Sequence, residues 1–365
     1  MAQKNNNSNS RDIKYIKLAY EQAKVNVGST KRNPSVGCIV VKNNSVISSG
    51  RTSLNGRPHA EANALKKKVN FKGSELYVTL EPCSHYGQTP PCVKEIIKKK
   101  IKRVIFSIDD IDKRSKNLAY KKLKKNKISV KNFLMKDYAK KFYKSYFLQS
   151  SESIPFIDAK LAISKDYFTI NKKKKWITNI KSRKVGNFLR SKYDCIVSTA
   201  ETINIDNPLL NCRIEGLEKK SPAVIIVDRT FKIKTNLKMF KDNSRKIFIF
   251  TQNTRRLKEK FFKKNNISVI KLKKTEHLLN KKNNIFLYLK NLGFNRVLVE
   301  SGIKFINEIL KNNLIKNFYL FKSCYNLKNN GKNNSNSILI KKLKLTVNNR
   351  VKINLNDDNL YRIQL

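Results

Sequence analysis

The chain has 365 residues and 42.4 kDa, with 79 Lys+Arg against 26 Asp+Glu, a formal net charge of +53 and 40% hydrophobic residues. At roughly 150 residues per domain this length predicts two domains, and the apolar content suffices for a buried core, which excludes a lone small module and wholesale disorder. The longest apolar runs, such as 223–227 and 37–41, are of strand length, and residues 1–10 are Asn/Ser-rich without an apolar secretory core; a cytoplasmic protein with no membrane partner is expected. The lysine excess comes with many Asn and Ile, and its runs (Lys66 to Lys68, Lys98 to Lys100, Lys172 to Lys175) lack interleaved aromatics. Compositional bias therefore explains it better than a specific nucleic-acid ligand, and a basic surface suits anionic small molecules. Six cysteines in 365 residues are too sparse for a disulfide scaffold and point to metal binding, catalysis or reduced core thiols.

In chain order, residues 1–10 read as a disordered tail. Ile13, Ile16, Ala19, Tyr20, Ala23 and Val27 then recur at helical spacing, closed by Gly28. Residues 37–41 and 45–48 read as strands around a Lys42-Asn43-Asn44 turn, 60–68 as a helix opened by Pro58-His59, and 75–79 as a strand. A helix over 92–100, a strand over 103–108 and continued alternation through Val130 predict an α/β layered domain. A helix over 137–149 ends in the polar Ser150-Ser151-Glu152-Ser153 before Pro155, which predicts domains over 11–150 and 154–365. The second half has strands expected at 156–163, 195–198, 223–228, 246–251 and 296–300 and helices at 180–190 and 283–292, a second α/β domain. Segments 263–266 and 326–336 read as loops.

His59-Ala60-Glu61 opens one expected helix, and Pro82-Cys83-Ser84-His85-Tyr86-Gly87-Gln88-Thr89-Pro90-Pro91-Cys92 runs from a strand end into the next. One imidazole and two thiolates are ligands that zinc prefers, and three protein ligands leave a fourth position for water, the pattern of a catalytic rather than a closed site. Glu61, two residues beyond His59, can enter the same cavity as a proton shuttle, so hydrolytic deamination of an amino-bearing ring is the chemistry expected. His85 is a spare donor, able to be a fourth ligand but read rather as substrate-facing or structural.

The order H-A-E, then P-C-S-H-Y-G-Q-T-P-P-C, with Asn33-Pro34-Ser35-Val36-Gly37 upstream, resembles the deaminase half of the bifunctional riboflavin-biosynthesis deaminase/reductase family. Cytidine and tRNA-adenosine deaminases space their two cysteines by two residues; Cys83 and Cys92 have eight between them, as in the riboflavin enzymes. The resemblance implies a cytidine-deaminase-like α/β/α first domain in which His59, Cys83 and Cys92 bind zinc, Glu61 is the proton donor and Asn33 helps to hold the pyrimidine. The family places Lys or Arg, suited to the substrate phosphate, where Gln88 stands, and its D-P-N-P loop reads Asp110-Ile111-Asp112-Lys113 here; Lys113, Arg114 or Lys116 are the neighbouring cations able to substitute.

The second half carries no complete G-x-G-x-x-G fingerprint, and its residues alone indicate only α/β with anion binding. Lys160-Leu161-Ala162, Trp176-Ile177-Thr178, Arg190, Thr202 with Asp206-Asn207-Pro208-Leu209-Leu210, Arg213 and Val299-Glu300-Ser301-Gly302 nevertheless follow the order of the family's reductase domain, which is similar to dihydrofolate reductase. The resemblance implies that Ala162, Trp176, Thr202, Asp206, Ser301 and Gly302 contact NADPH, and that Lys174, Arg190, Leu210, Arg213 and Glu300 hold the ribosyl phosphate substrate. Departures are Tyr167, Ser198 to Glu201 and Ser301 where the family has glycine, and Lys174 where it has serine. The expected function is therefore zinc-dependent deamination of a phosphoribosylamino-pyrimidine followed by NADPH reduction of its ribosyl group to a ribityl chain. A deaminase with a degenerate reductase scaffold and a nucleic-acid base deaminase are the alternatives. The partners expected are small phosphorylated pyrimidines, and a homo-oligomer is compatible with all of this.

Overall fold

The computed structural model describes residues 2–112, 114–151, 153–242, 244–253, 256–272, 285–334 and 349–365. It divides into two compact units, Met1–Glu152 and Ser153–Leu365. In the first, α1 (Ala2–Val25) precedes the hairpin β1 (Gly37–Lys42) and β2 (Ser45–Arg51), followed by α2 (Ala60–Leu65), β3 (Glu75–Val78), α3 (Cys92–Lys98), β4 (Arg103–Phe106), α4 (Leu118–Lys125), β5 (Ser129–Lys131), α5 (Lys136–Phe142) and α6 (Lys144–Ser151). The sheet order is β2-β1-β3-β4-β5, with β1 antiparallel to both neighbours and β3, β4 and β5 parallel. Asn43 and Asn44 close the hairpin with φ of 48° and 60°, a left-handed pair that Asn tolerates better than most residues.

Ile16, Ala19, Tyr20 and Ala23 of α1 are buried, as their spacing predicts. The helix starts at Ala2, however, so the segment expected as a disordered tail is helical; once the amphipathic turns exist, each added residue needs only propagation. Buried Asp12 ties α1 to the sheet: Arg103 donates to its two oxygens at 2.9 and 2.7 Å, Lys131 at 2.8 Å and the Tyr77 hydroxyl at 2.9 Å. Helix α2 stops at Leu65, short of the expected Lys68, where three successive lysines give way to turns that bring Phe71 into the core. The helix expected over 137–149 is two helices broken at Tyr143, whose buried hydroxyl hydrogen-bonds Thr79 Oγ1 at 2.5 Å.

The second unit contains β6 (Phe156–Ile163), β7 (Phe168–Asn171), α7 (Ile180–Arg190), β8 (Cys195–Thr199), α8 (Ala200–Asp206), β9 (Ala223–Val227), β10 (Ile247–Thr251), α9 (Arg256–Lys264), β11 (Ile267–Lys271), α10 (Ile285–Asn291), β12 (Arg296–Val299), α11 (Ile303–Lys311), β13 (Asn317–Lys322), β14 (Gly331–Asn334) and β15 (Asn359–Gln364). Its large sheet has the order β11-β10-β9-β8-β12-β6-β13-β15; all strands are parallel except β15, antiparallel on β13. Strand interiors such as 224–227 are apolar on both faces, as a sheet covered by crossover helices requires. Two expected loops differ. Residues 263–264 end α9, and 331–334 form β14, which pairs antiparallel with β7; residues 335 and 336 of the second loop, and 283–284 of the expected 283–292 helix, lie outside the described residues.

A built Cβ on Gly50 of β2 would collide with the Ala60 carbonyl oxygen and the Ala64 nitrogen of α2. Backbone cannot yield as a flexible side chain does, so Gly50→Ala is expected to destabilise the first unit by ~1–3 kcal/mol. Thermal unfolding of the variant measures this; an unchanged transition would show that α2 does not rest on β2.

Candidate active sites

In the first unit, His59 is the residue before α2, Cys92 is the first residue of α3 and Cys83 lies in the loop after β3. The ligand atoms of these three lie within 4.8 Å of one another. His59 Nδ1 is 3.5 Å from Cys83 Sγ and 3.6 Å from Cys92 Sγ, and the Cys92 backbone N–H donates to Cys83 Sγ at 3.2 Å. The hydrogen bond from the Cys92 thiol, with His59 and against the opposing effect of burial, holds Cys83 down at about 4, a thiolate, while donation to Cys83 and burial keep the Cys92 thiol high. The hydrogen bond to Cys83 raises His59. One ionised sulfur, one poised thiol and one imidazole nitrogen in a half-buried triangle are a donor set that fits zinc.

Glu61, in the first turn of α2, is 4% exposed, and burial followed by the Cys83 thiolate pushes its carboxyl up to about 7. A carboxyl that is half ionised near neutrality can both take and return a proton. Asn33 lies in the loop before β1, its side chain against Gly56, three residues before His59; Gly56 has φ of 93°, and a Cβ there would strike Asn33 Nδ2. His85 is outside the ligand triangle: its Nδ1 is 2.8 Å from Ser115 Oγ. Of the cations considered for a phosphate, Lys113 lies outside the described residues, and Arg114 is folded onto Asp112 in an ion pair of 2.6 Å. Lys116 is exposed, its backbone N–H on the Asp112 carbonyl.

Glu81 was not singled out by the sequence, although it adjoins Pro82-Cys83. Buried, it accepts the backbone N–H groups of Asp110, Asn117 and Ala119, each at 3.1 Å, and so fixes the loop that delivers Cys83; burial pushes its carboxyl up to about 6 against those bonds.

In the second unit the register sets Val299 of β12 opposite Ala159 of β6, so Glu300 emerges level with Lys160. Arg190 at the end of α7 meets Glu300 through two bonds, Nε to Oε1 at 2.7 Å and Nη2 to Oε2 at 3.0 Å, and Lys160 Nζ is 3.7 Å from Oε2. Burial would raise the Glu300 carboxyl, but the Arg190 and Lys160 charges outweigh it and hold it at about 2. Burial lowers Lys160 despite that partner. Lys160 stood in a quoted segment without a role; only the register shows that it faces Glu300.

Arg190 thus has its outer edge on Glu300 and Nη1 on the Asn187 side chain and Asn211 carbonyl, whereas Arg213 is exposed, its Nη1 on Asn211 Oδ1 at 2.8 Å. Leu210 is buried in the core with φ of 52°, so its side chain does not face solvent. Buried Arg245, which the sequence did not mark, clamps this segment by donating to the carbonyls of Leu209 and Leu210.

Thr199, Thr202 and Ser301 hydroxyls meet at 3.1–3.4 Å, and the Gly302 N–H donates to Thr202 Oγ1 at 3.0 Å, joining the starts of α8 and α11. Asp206 closes α8, where the Lys175 and Lys160 charges act on it. Ala162 on β6 faces Phe321 of β13. Trp176 is 53% exposed, with the Arg183 guanidinium 4.9 Å over its ring; Lys174 is exposed on the turn after β7, its N–H on Asn171 Oδ1. Of the positions where the family has glycine, only Tyr167 has a left-handed φ, 70°; its ring carries Lys322 Nζ 4.2 Å from the centroid.

Comparisons with known proteins bear on both units. Residues 9–108 match the cytidine and deoxycytidylate deaminase zinc-binding region, and residues 155–327 match the RibD C-terminal domain. The riboflavin biosynthesis protein RibD of Buchnera aphidicola subsp. Baizongia pistaciae is 33% identical over 327 residues, 85% of this chain and 86% of that protein. The RibD of Aquifex aeolicus is 32% identical over 85% of this chain and 86% of its own length. Among solved structures, a diaminohydroxyphosphoribosylaminopyrimidine deaminase/5-amino-6-(5-phosphoribosylamino)uracil reductase from Thermotoga maritima matches with a TM-score of 0.81 at 25% identity, covering 98% of this chain and 99% of that one. No helix among the described residues is long and apolar enough to cross a membrane.

Replacing Glu300 by Gln leaves half-buried Arg190 and Lys160 without a counter-charge, and is expected to cost the second unit ~1–3 kcal/mol at neutral pH. Because the Glu300 pKa is depressed from 4.5 to about 2, its contribution is complete above the unfolded value and is lost as pH falls towards the folded one. The stability gap between wild type and Glu300→Gln in urea should therefore narrow between pH 7 and pH 3. A constant gap would contradict the ion pair.

Proposed function

Because the chain belongs to the RibD family of riboflavin-biosynthesis enzymes, we propose that His59, Cys83, Cys92 and Glu61 carry its deaminase chemistry, and Lys160, Arg190, Arg213 and Glu300 its reductase chemistry. The protein is a bifunctional enzyme: one half deaminates a diamino-hydroxy-phosphoribosylamino-pyrimidine by hydrolysis, and the other reduces the ribosyl group to a ribityl chain with NADPH. The observation that carries the residue assignment is the convergence of three soft donor atoms beside a buried carboxyl.

His59 Nδ1 and the two Sγ atoms would hold a zinc ion, which would supply the Lewis acidity that makes water a nucleophile near neutral pH. Glu61 takes the proton that this water loses, holds it on a carboxyl oxygen and gives it to the departing amino group, so that ammonia leaves as the ring carbon gains oxygen. Burial keeps that carboxyl basic enough for the task. Asn33, against the 54–56 loop, is the residue for the pyrimidine edge.

In the second half, NADPH supplies the hydride when bound, with Ala162, Trp176, Thr202, Asp206, Ser301 and Gly302 as the residues to hold it. Glu300, just beyond the carboxyl end of β12, keeps Lys160 of β6 and Arg190 of α7 oriented. From there Lys160 Nζ is available to donate to the sugar oxygen as the ring opens. The exposed fork of Arg213 suits the substrate phosphate, with Lys174 and the Leu210 segment as further substrate contacts. The Lys160–Arg190–Glu300 cluster stands at the sheet edge where ligands of open α/β folds gather, which supports a working second half.

Cys83→Ser and Cys92→Ser are each expected to lose zinc and ammonia release together, whereas Glu61→Gln keeps zinc and loses ~10²–10⁴-fold in deamination. Elemental analysis beside an ammonia assay decides; stoichiometric zinc in both cysteine variants would refute the ligand set. Deamination should also decline on the acid side at a pH above the ordinary glutamate range, as Glu61 becomes protonated, and this limb should vanish in Glu61→Gln. Arg213→Ala should raise the reductase KM for the phosphorylated substrate more than it lowers kcat, read from NADPH absorbance on the deaminated intermediate. A loss confined to kcat would move Arg213 out of the phosphate role.

A further inference from the structure

An arginine at the edge of the deaminase site enters no ion pair among the described residues. Arg57, half-buried and two residues before His59, directs Nη1 to Thr89 Oγ1 at 2.8 Å. Its Nη2 lies 3.6 Å from the point where a side chain on residue 87 would begin, and His85 Nε2 lies 3.9 Å from the same point. Residue 87 is glycine, so that point is open, and two nitrogens from different segments converge on it. Ser115 holds the other face of the His85 ring at Nδ1, which fixes Nε2 towards the opening. Thr89 likewise fixes one arm of the guanidinium and leaves the other presented.

The surrounding cations are differently engaged. Arg114 is paired with Asp112, Lys122 Nζ donates to the Ser84 carbonyl at 2.6 Å, and Lys94 Nζ is on the Tyr86 hydroxyl at 3.1 Å. Among the described residues Arg57 enters no ion pair. An arginine held by a neutral hydroxyl, with a bare backbone in front of it, is the arrangement an incoming oxyanion completes.

We propose that Arg57 and His85 form the seat for the phosphate of the deaminase substrate, over Gly87. Gln88, beside the seat, brings no charge, so the anion-binding task has passed to the segment that leads into His59. Only Pro58 separates Arg57 from His59, at most ~7 Å of backbone, so phosphate and metal would be gripped by one piece of structure. This inference rests on the reading that the first half deaminates a phosphorylated pyrimidine.

The test is ammonia release by the zinc-loaded full chain from the phosphoribosylamino-pyrimidine and from its dephosphorylated counterpart. Wild type should prefer the phosphorylated compound, and in Arg57→Ala that preference, as a ratio of kcat/KM, should fall roughly 30-fold, mainly through KM. Arg57→Lys should retain part of it, as a point charge without the fork. Gly87→Leu fills the seat while leaving the Arg57–Thr89 bond alone, and should lose the preference to a similar extent. An unchanged ratio in both Arg57→Ala and Gly87→Leu overturns the seat while the deaminase stands. Equal use of both compounds by wild type does the same. Zinc-loaded wild type that releases ammonia from neither overturns the deaminase reading and the seat with it.

Discussion

Helix α2 lies against the backbone of β2 at Gly50, with no side chain between them, and the geometry of the deaminase site follows from that approach. Ala60 and Ala64 are fully buried on the inner face of α2, and Ser48 Oγ donates to the Ala64 carbonyl at 2.5 Å, so the helix cannot slide. Its first turn then places Glu61 away from solvent, which raises the carboxyl, and leaves His59 at the rim with Nδ1 towards the sulfurs. The opposite side is fixed by Glu81, which spends a buried carboxylate on three backbone N–H groups to hold the loop carrying Cys83. A metal site needs its donors positioned before the ion arrives, and here two anchored segments do so.

The second unit solves a similar problem with a parallel sheet. Strands β8, β12 and β6 are adjacent, and the carboxyl ends of β8 and β12 bring Thr199 and Glu300 level with Lys160 in the middle of β6, from segments up to about 140 residues apart in sequence. Ligands of open α/β sheets gather at that edge because loops diverge there and backbone N–H groups of the following helices point out. The bidentate Arg190–Glu300 pair makes this edge rigid, and Arg245 clamps the Leu209–Leu210 carbonyls from beneath.

The composition leaves its mark in a consistent way. With 26 acids against 79 bases, several of the acids sit inside: Asp12, Glu61, Glu81, Asp158 and Glu300 are buried, each accepting hydrogen bonds or lying against the cysteine pair. Among the described residues no lysine is fully buried, so water screens much of the excess charge. Tyr167 keeps a left-handed backbone costing ~1–2 kcal/mol for a residue with a Cβ and offsets part of that through its packing and Lys322.

Two α/β units, the family and the His59, Cys83, Cys92 and Glu61 set proposed for the metal site were legible in the sequence, because each depends on residue identity at fixed spacing: H-A-E, two cysteines eight residues apart, and apolar strands of ordinary length. Elements without a strong period escaped it. The β7–β14 ribbon is polar and pairs residues about 160 apart, and the break at Tyr143 falls inside a continuous helical pattern. Tertiary structure alone decided which charges meet. That Lys160 faces Glu300, that Glu300 engages Arg190, that Arg245 lies under Leu210 and that Arg57 leans over Gly87 depend on strand register and on close backbone approach. Among 79 cations no local pattern distinguishes these few, because what sets them apart is the partner each meets across the fold.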